Sequence, residues 1–252
     1  MSDLVAYYMS APPVARTIAT AVFVSSVGIY TGLLPSYHFF FHPSLFFKLL
    51  PEVHRVVTSF LLTGPQMAVL FDTYFVFKYL SQLETGSRFS RKEDMIWYLM
   101  VVGSVIIFLN TVLTGAMVYL QALLIALCYT ANSDLRGATA HFYIITIPAQ
   151  MMPYCLLLVQ LLFPNGFENL KVGLTGLVAA HLHDFLTRIY PEFGNGPNLI
   201  PTPAFMSYIM STPRIENTGF GTAFRPKSNA AGSGSGPLPD SWRSKGPGRR
   251  LG

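Results

Sequence analysis

The run Met95-IWYLMVVGSVIIFLNTVLTGAMVYLQALLIALCYTAN-Ser133 is 39 residues long and contains no Asp, Glu, Lys or Arg. A membrane-spanning helix needs about 20 apolar residues to cross about 30 Å of hydrocarbon. This run is too long for one crossing and suits two. Asn110, Thr111, Thr114 and Gly115 stand near its middle and predict the turn of a tight helical hairpin. Residues 17–47 and 137–167 are also free of charged side chains. The whole chain is 51% hydrophobic and 12% charged, with mean hydropathy +0.42. A soluble domain carries about a quarter charged residues. The pattern therefore describes a multi-span membrane protein.

Working outward, the first span covers residues 14–34 and ends at Pro35. A loop to about residue 57 follows, rich in rings: Tyr37, His38, Phe39, Phe40, Phe41, Phe46 and Phe47. Such side chains suit the headgroup region, and Pro43 and Pro51 interrupt any helix there. The second span covers residues 58–80, the fifth 139–163, and the sixth 171–190, stopped by Pro191. The expected fold is an all-α membrane protein, a six-transmembrane-helix bundle over residues 1–190. Residues 191–252 form a Pro-, Gly- and Ser-rich tail, largely disordered.

Six spans put both termini on one side. Of 17 Lys and Arg, only Lys48, Arg55 and Lys171 fall opposite them, whereas Arg88, Arg91, Lys92, Arg136 and the eight from Arg188 to Arg250 share their side. The positive-inside rule makes the termini cytosolic. Topology and anionic headgroups account for the net charge of +5, so it does not argue for a nucleic-acid partner. Residues 1–16 lack the short basic segment and cleavage site of a signal peptide, so the first span is expected to remain as an anchor.

Chemistry-bearing patterns are few. Cys128 and Cys155 sit inside apolar runs, and six histidines (His38, His42, His54, His141, His181, His183) are scattered over loops and spans. Neither set has metal-ligand spacing, and no phosphate-cradling glycine loop occurs, so no metal or cofactor is expected. In the sixth span Gly173, Gly176, Ala180, Asp184 and Thr187 share one helix face, a small-residue stripe that lets backbones approach closely. Arg188, one turn beyond Asp184, is its expected partner. His181 lies beside the stripe, where a catalytic histidine would need a nucleophile within hydrogen-bond reach. The fourth span, Tyr119 to Ala131, contains no serine; Ser133 lies beyond it and Ser104 in the third span. Asp72 in the second span must face other helices or a wet cavity, because an unpaired charge at mid-bilayer costs at least about 2.5–3.5 kcal/mol.

Several ordered segments resemble the Derlins, rhomboid-like pseudoproteases of the endoplasmic reticulum. Ala11-Pro-Pro-Val-Ala-Arg16 precedes the first span. His54-Arg55-x-x-Thr58-x-Phe60 stands where the family has Trp-Arg-x-x-Thr-x-Phe, with His54 replacing the tryptophan. Leu83-Glu-Thr-Gly86 follows the second span. Gly176-x-x-x-Ala180-His181 occupies the place of Gly-x-x-x-Gly-His, with Ala180 replacing the second glycine. Ile200-Pro-Thr-Pro203 follows the last span. Trp242-Arg-Ser-Lys-Gly246-Pro-Gly248-Arg-Arg-Leu251 is similar to the short box by which Derlins recruit an AAA ATPase, valosin-containing protein.

The resemblance implies a rhomboid-like bundle without peptidase activity. It would promote retrotranslocation of misfolded proteins from the endoplasmic reticulum by local membrane thinning and ATPase recruitment. Implied partners are membrane lipids, misfolded substrates, the AAA ATPase and a membrane ubiquitin ligase complex, in a homo- or hetero-oligomer. Arg55 would contact headgroups or substrate, and Gly176, Ala180 and His181 would set the packing. The alternatives are an active intramembrane serine protease and a small transporter or channel.

Overall fold

Pro12 and Pro13 set the start of the first helix, since Pro at a first turn lacks only an N–H that would have no intrahelical partner. In the computed structural model of the chain, α1 runs Pro13–Tyr30. The structure describes residues 6, 8–43, 52–135, 137–142, 145–162, 165–194, 198–210, 215–218 and 221–224. Phe46, Phe47, Lys48 and Arg136 lie outside them.

No side chain beside Pro12 caps α1. The cap comes from Glu84, near the end of α3 (Ala68–Thr85). Its Oε2 accepts from the Ala15 N–H at 2.9 Å and its Oε1 from the Val14 N–H at 3.3 Å. A carboxylate at a helix N-terminus also meets the favourable end of the helix dipole. The Leu83-Glu84-Thr85-Gly86 segment thus ties the end of α3 to the start of α1.

Among the described residues between α1 and α3, a 3-10 turn at Ser36–Phe39 and a short helix, α2 (His54–Thr58), interrupt otherwise irregular backbone. The second helix was expected from residue 58 and begins ten residues later, at Ala68. Gly64, Pro65 and the positive φ of Gln66 (60°) account for the delay.

The uncharged run folds as α4 (Lys92–Leu113) and α5 (Leu120–Asn132), with Gly115 at φ 67° in the turn. All of α5 is buried except Gln121 and Tyr129, and the helix packs against α3, α4, α6 and α7.

The expected continuous fifth span does not form. Its first half is an antiparallel hairpin, β1 (Thr139–Phe142) with β2 (Ile145–Pro148), pairing Thr139 with Pro148 and Phe142 with Ile145. Thr139, Phe142, Ile145, Thr146 and Ile147 are β-branched or aromatic, which favours extended backbone. A 3-10 turn at Ala149–Met151 leads into α6 (Met152–Gln160).

The last long helix, α7 (Gly166–Asp184), also differs from its expected bounds. It widens into a π turn at Phe185–Ile189 and continues as α8 (Tyr190–Gly194). The widened turn comes just before Pro191, which cannot donate to the helix ladder. Residues 198–203 lead to α9 (Ala204–Met210). Here Thr202 donates to Asp94 Oδ1 at 2.8 Å, and the Phe205 ring meets Trp97 edge-on.

By packing, the chain divides into units Met1–Met206 and Ser207–Gly252. The second contains a hairpin of β3 (Ile215–Thr218) and β4 (Gly221–Phe224). Among the described residues, α1 and α4 are the helices both long and apolar enough to cross a membrane, and α5 is a shorter apolar helix.

Replacing Glu84 by Ala removes both acceptors from α1 and should lower stability by about 1–2 kcal/mol. The expected readout is a lower thermal midpoint of the purified protein in detergent. Glu84→Gln, which retains one acceptor oxygen, should recover part of the loss.

Candidate functional site

The closest helix contact joins α5 and α7. A Cβ added at Gly176 would lie 1.9 Å from the Ala122 carbonyl oxygen, so only glycine lets the two backbones meet here. One turn earlier, a Cβ at Gly173 would meet Leu157 Cδ2 at 2.6 Å and Gln160 Oε1 at 2.9 Å. Ala179, Ala180 and Asp184 continue this buried face of α7.

Beside that contact lies a polar groove. Asp72 on α3 is buried, and its Oδ2 accepts from Gln121 Nε2 at 2.8 Å. Gln121 Oε1 in turn accepts from Gln160 Nε2 at 3.0 Å. The Gln160 Oε1 is buried and has no hydrogen-bond partner among the described residues. The chain Gln160, Gln121, Asp72 crosses a cavity of about 370 Å³ that Asn165 and Asn169 also line. A neighbouring cavity of about 550 Å³ shares Gly64, Pro65, Gln121 and Asn169 with it and extends to Tyr30 and Glu168. Two chambers thus flank the irregular Gly64-Pro65 segment. Polar side chains within a membrane domain are retained where they pair or line a wet path.

Arg55 is the best buried cation among the described residues, with 2% of its side chain exposed. Its Nε donates to Glu52 and its Nη1 to the carbonyls of Tyr37 and Phe40, the latter at 2.9 Å. The Tyr37 ring lies 4.1 Å from the guanidinium carbon. Arg55 therefore holds the 3-10 turn onto α2 from within, and only its Nη2 lacks a partner among the described residues. His54, next to it, is exposed and packs its ring against that of His38 at 5.9 Å.

His181 lies on the exposed face of α7, and the side chain that meets it is Tyr129 of α5. The phenol oxygen and His181 Nδ1 are 2.8 Å apart. A rhomboid-type dyad would have a serine hydroxyl facing this imidazole; α5 carries no serine.

At the far end of α7, Asp184 pairs with Arg88 at 2.6 Å and more loosely with Arg188 at 3.6 Å. Arg88 also reaches Ser133 at 2.6 Å and Asp134 at 2.9 Å, and Arg188 meets Asp134 at 2.6 Å. The expected Arg188 partner is thus the secondary one. Partial burial pushes the Asp134 carboxyl up, but the hydrogen bond from Arg188 and the adjacent Arg88 outweigh it and hold Asp134 below its ordinary value.

Asp72, Gly176 and Ala180 come together around α5, whereas His54 and Arg55 lie together on α2 and Asp184 lies at the far end of α7. Trp242, Gly246, Gly248 and Leu251 lie outside the described residues. Sequence reasoning passed over Gln121 and Gln160, although the test that singled out Asp72 (a polar residue inside an apolar run) also selects them. It quotes Glu84 within Leu83-Glu-Thr-Gly86 and counts Arg88 among the cations, but gives neither a partner, because both serve groups remote in the chain.

A family model described as the Der1-like family matches residues 11–204, and the chain belongs to that family. It is similar to Derlin-1.2 of Zea mays, 27% identical over 241 residues, covering 93% of this chain and 96% of that protein. It is likewise similar to Derlin-1 of Arabidopsis thaliana, 27% identical over 223 residues, covering 85% and 80%. Derlin-2.1 of Zea mays is 24% identical over 237 residues, covering 87% and 93%. Membership and the apolar helices together make it a membrane protein.

Two substitutions separate close packing from ordinary glycine loss. Gly176→Ala should destabilise by about 1–3 kcal/mol, because α5 and α7 must part. Gly103→Ala, whose Cβ would meet Phe60 at an ordinary 3.6 Å, should cost at most about 1 kcal/mol. Thermal midpoints in detergent compare them. Asp134→Asn tests the ionic clasp. A carboxyl held below its ordinary value of 3.8 stabilises the fold above that pH and loses the effect as pH falls through its folded value. The cost of the substitution should be present at pH 7 and should shrink below about pH 4.

Proposed function

We propose that this protein is a non-proteolytic, rhomboid-like factor that moves misfolded proteins out of the endoplasmic reticulum for degradation. The observation that carries the reading is the polar groove of Asp72, Gln121 and Gln160 inside a membrane domain whose α5 has a tyrosine, not a serine, opposite His181. A polar path among apolar helices suits a chain segment that carries its own backbone and side-chain polar groups through the bilayer. The missing nucleophile argues against peptide cleavage.

In this reading α1, α3, α4, α5, α6 and α7 are six spans with both termini cytosolic, matching the positive charge of the α3–α4 loop and the tail. α5 has 13 residues and α6 has 9. At a rise of 1.5 Å per residue they extend about 20 Å and about 14 Å, against about 30 Å of hydrocarbon. Helices this short draw the bilayer thinner around them, which lowers the barrier for a polar segment. The Trp242–Leu251 box of the tail recruits an AAA ATPase of the valosin-containing-protein type, which supplies the pull, and a membrane ubiquitin ligase complex marks the substrate.

The groove also favours a second reading, a small transporter or channel, which predicts solute flux across vesicles containing only this protein.

The double substitution Asp72→Leu and Gln121→Leu should lengthen the half-life of a misfolded luminal reporter several-fold in cells lacking the native protein. An unchanged half-life, with the variant correctly inserted, would remove the groove from the path. Deleting residues 242–252 should abolish co-purification of the ATPase and leave membrane insertion intact; undiminished capture would sink the assignment of the tail.

A further inference from the structure

The polar groove has an apolar counterpart on another side of the molecule. Ile96, Leu99, Met100, Gly103, Ser104 and Ile107 occupy one face of α4 and line an open cavity of about 340 Å³. Its other wall is formed by Ile18 of α1, Leu80 of α3 and Phe60 beyond α2, and its floor by Leu123 of α5. Ser104 contributes the one hydroxyl of the lining, and it already donates to the Met100 carbonyl at 2.8 Å. Nothing in this lining calls for a water, an ion or a peptide backbone.

The dimensions narrow the choice of occupant. From Ile96 to Ile107 the α4 face is about 16 Å long, at a rise of 1.5 Å per residue. One leaflet contributes about 15 Å, half of the hydrocarbon thickness. A transmembrane helix would need about 30 Å of matching surface and a slot about 10 Å wide. An acyl chain of one leaflet fits the length.

The charge at the mouth names the headgroup. Lys92 lies one turn before Ile96 on the same face of α4, with 48% of its side chain exposed. The nearest carboxylate, Glu84 at 3.8 Å, is buried and already accepts the two N–H groups that begin α1. Arg91, the neighbouring cation, is engaged with Glu93 and Asp94. The half-exposed ammonium of Lys92, only loosely paired with Glu84, is thus a cation that can meet a headgroup at this end of the groove.

We infer that the groove between α1 and α4 holds one acyl chain of an anionic phospholipid, with its headgroup on Lys92 and the chain running past Met100 and Gly103 toward Ile107. The inference rests on membrane residence alone and requires neither retrotranslocation nor the ATPase. Gly103 keeps side-chain bulk out of the groove beside Phe60: a Cβ there would already touch the Phe60 ring at 3.6 Å, so a longer side chain must project into the lining.

The test is native mass spectrometry of the full chain, purified in detergent and titrated with palmitoyl-oleoyl phosphatidylserine or phosphatidylcholine. One retained lipid per chain is expected, with phosphatidylserine favoured about fivefold, the preference that one lysine near an anionic surface confers. Lys92→Gln should abolish the preference and leave retention of either lipid. Gly103→Leu and Ser104→Leu should each fill the groove and abolish retention of both. Ser104 is exposed, so its variant keeps the test decisive should Gly103→Leu fail to fold. Retention unaffected by Ser104→Leu, equal retention of the two lipids by the unsubstituted chain, or a second copy of the chain held in place of lipid would each overturn the inference.

Discussion

Backbone that is neither helix nor sheet can lie among membrane helices only where its N–H and C=O groups find partners inside the protein. The described irregular residues between α1 and α3 find such partners in α1. Ser25 Oγ donates to the Leu61 carbonyl at 2.7 Å, Ser26 Oγ accepts from the Thr63 N–H at 3.1 Å, and the Tyr30 hydroxyl donates to the Thr63 carbonyl at 2.7 Å. The α4–α5 turn supplies two more partners: Phe41 N–H donates to the Met117 carbonyl and Tyr119 N–H to the Ser59 carbonyl, both at 2.9 Å. Arg55 adds hydrogen bonds to two more carbonyls, those of Tyr37 and Phe40. With those groups satisfied, Phe60 can reach Gly103, far along α4. The polar chambers beside Gly64 and Pro65, and the apolar groove beyond Phe60, are the two sides of this one seated segment.

That arrangement changes the meaning of Arg55. As the intact half of a Trp-Arg pair, it reads in sequence as an outward group for lipid headgroups or substrate. In the fold it is an internal clamp, and the exposed surface at this position belongs to His54. A buried arginine that loses its partners leaves an uncompensated charge, which is costly. The motif is therefore first a requirement for the shape of the loop.

The helices that charge-free runs define were legible in the sequence: α1, the α4–α5 hairpin with its turn near Gly115, and the small face of α7 all fall where composition and spacing put them. Two features did not. The start of α3 was displaced because apolar character alone does not separate a helix from a seated irregular strand, although Gly64-Pro65 marked the break. The hairpin ahead of α6 was missed because an uncharged run of β-branched residues reads equally as a span. At the site, Asp72 stood out by its charge, whereas its neutral relays Gln121 and Gln160 did not. Asp184 was recognised, but its nearer partner, Arg88, lies 96 residues away, a separation that local spacing rules do not reach.

The capping of α1 by Glu84 has a consequence for how the protein is made. The carboxylate that completes the start of the first helix lies 69 residues further along the chain than the amide it binds. During synthesis α1 therefore emerges and enters the bilayer with its first amides still seeking partners. Those amides are left to water or headgroups until the end of α3 is translated and Glu84 reaches them. Folding of α3 is thereby registered at the start of α1, and a chain halted before Leu83-Glu84-Thr85-Gly86 would leave that helix start incomplete.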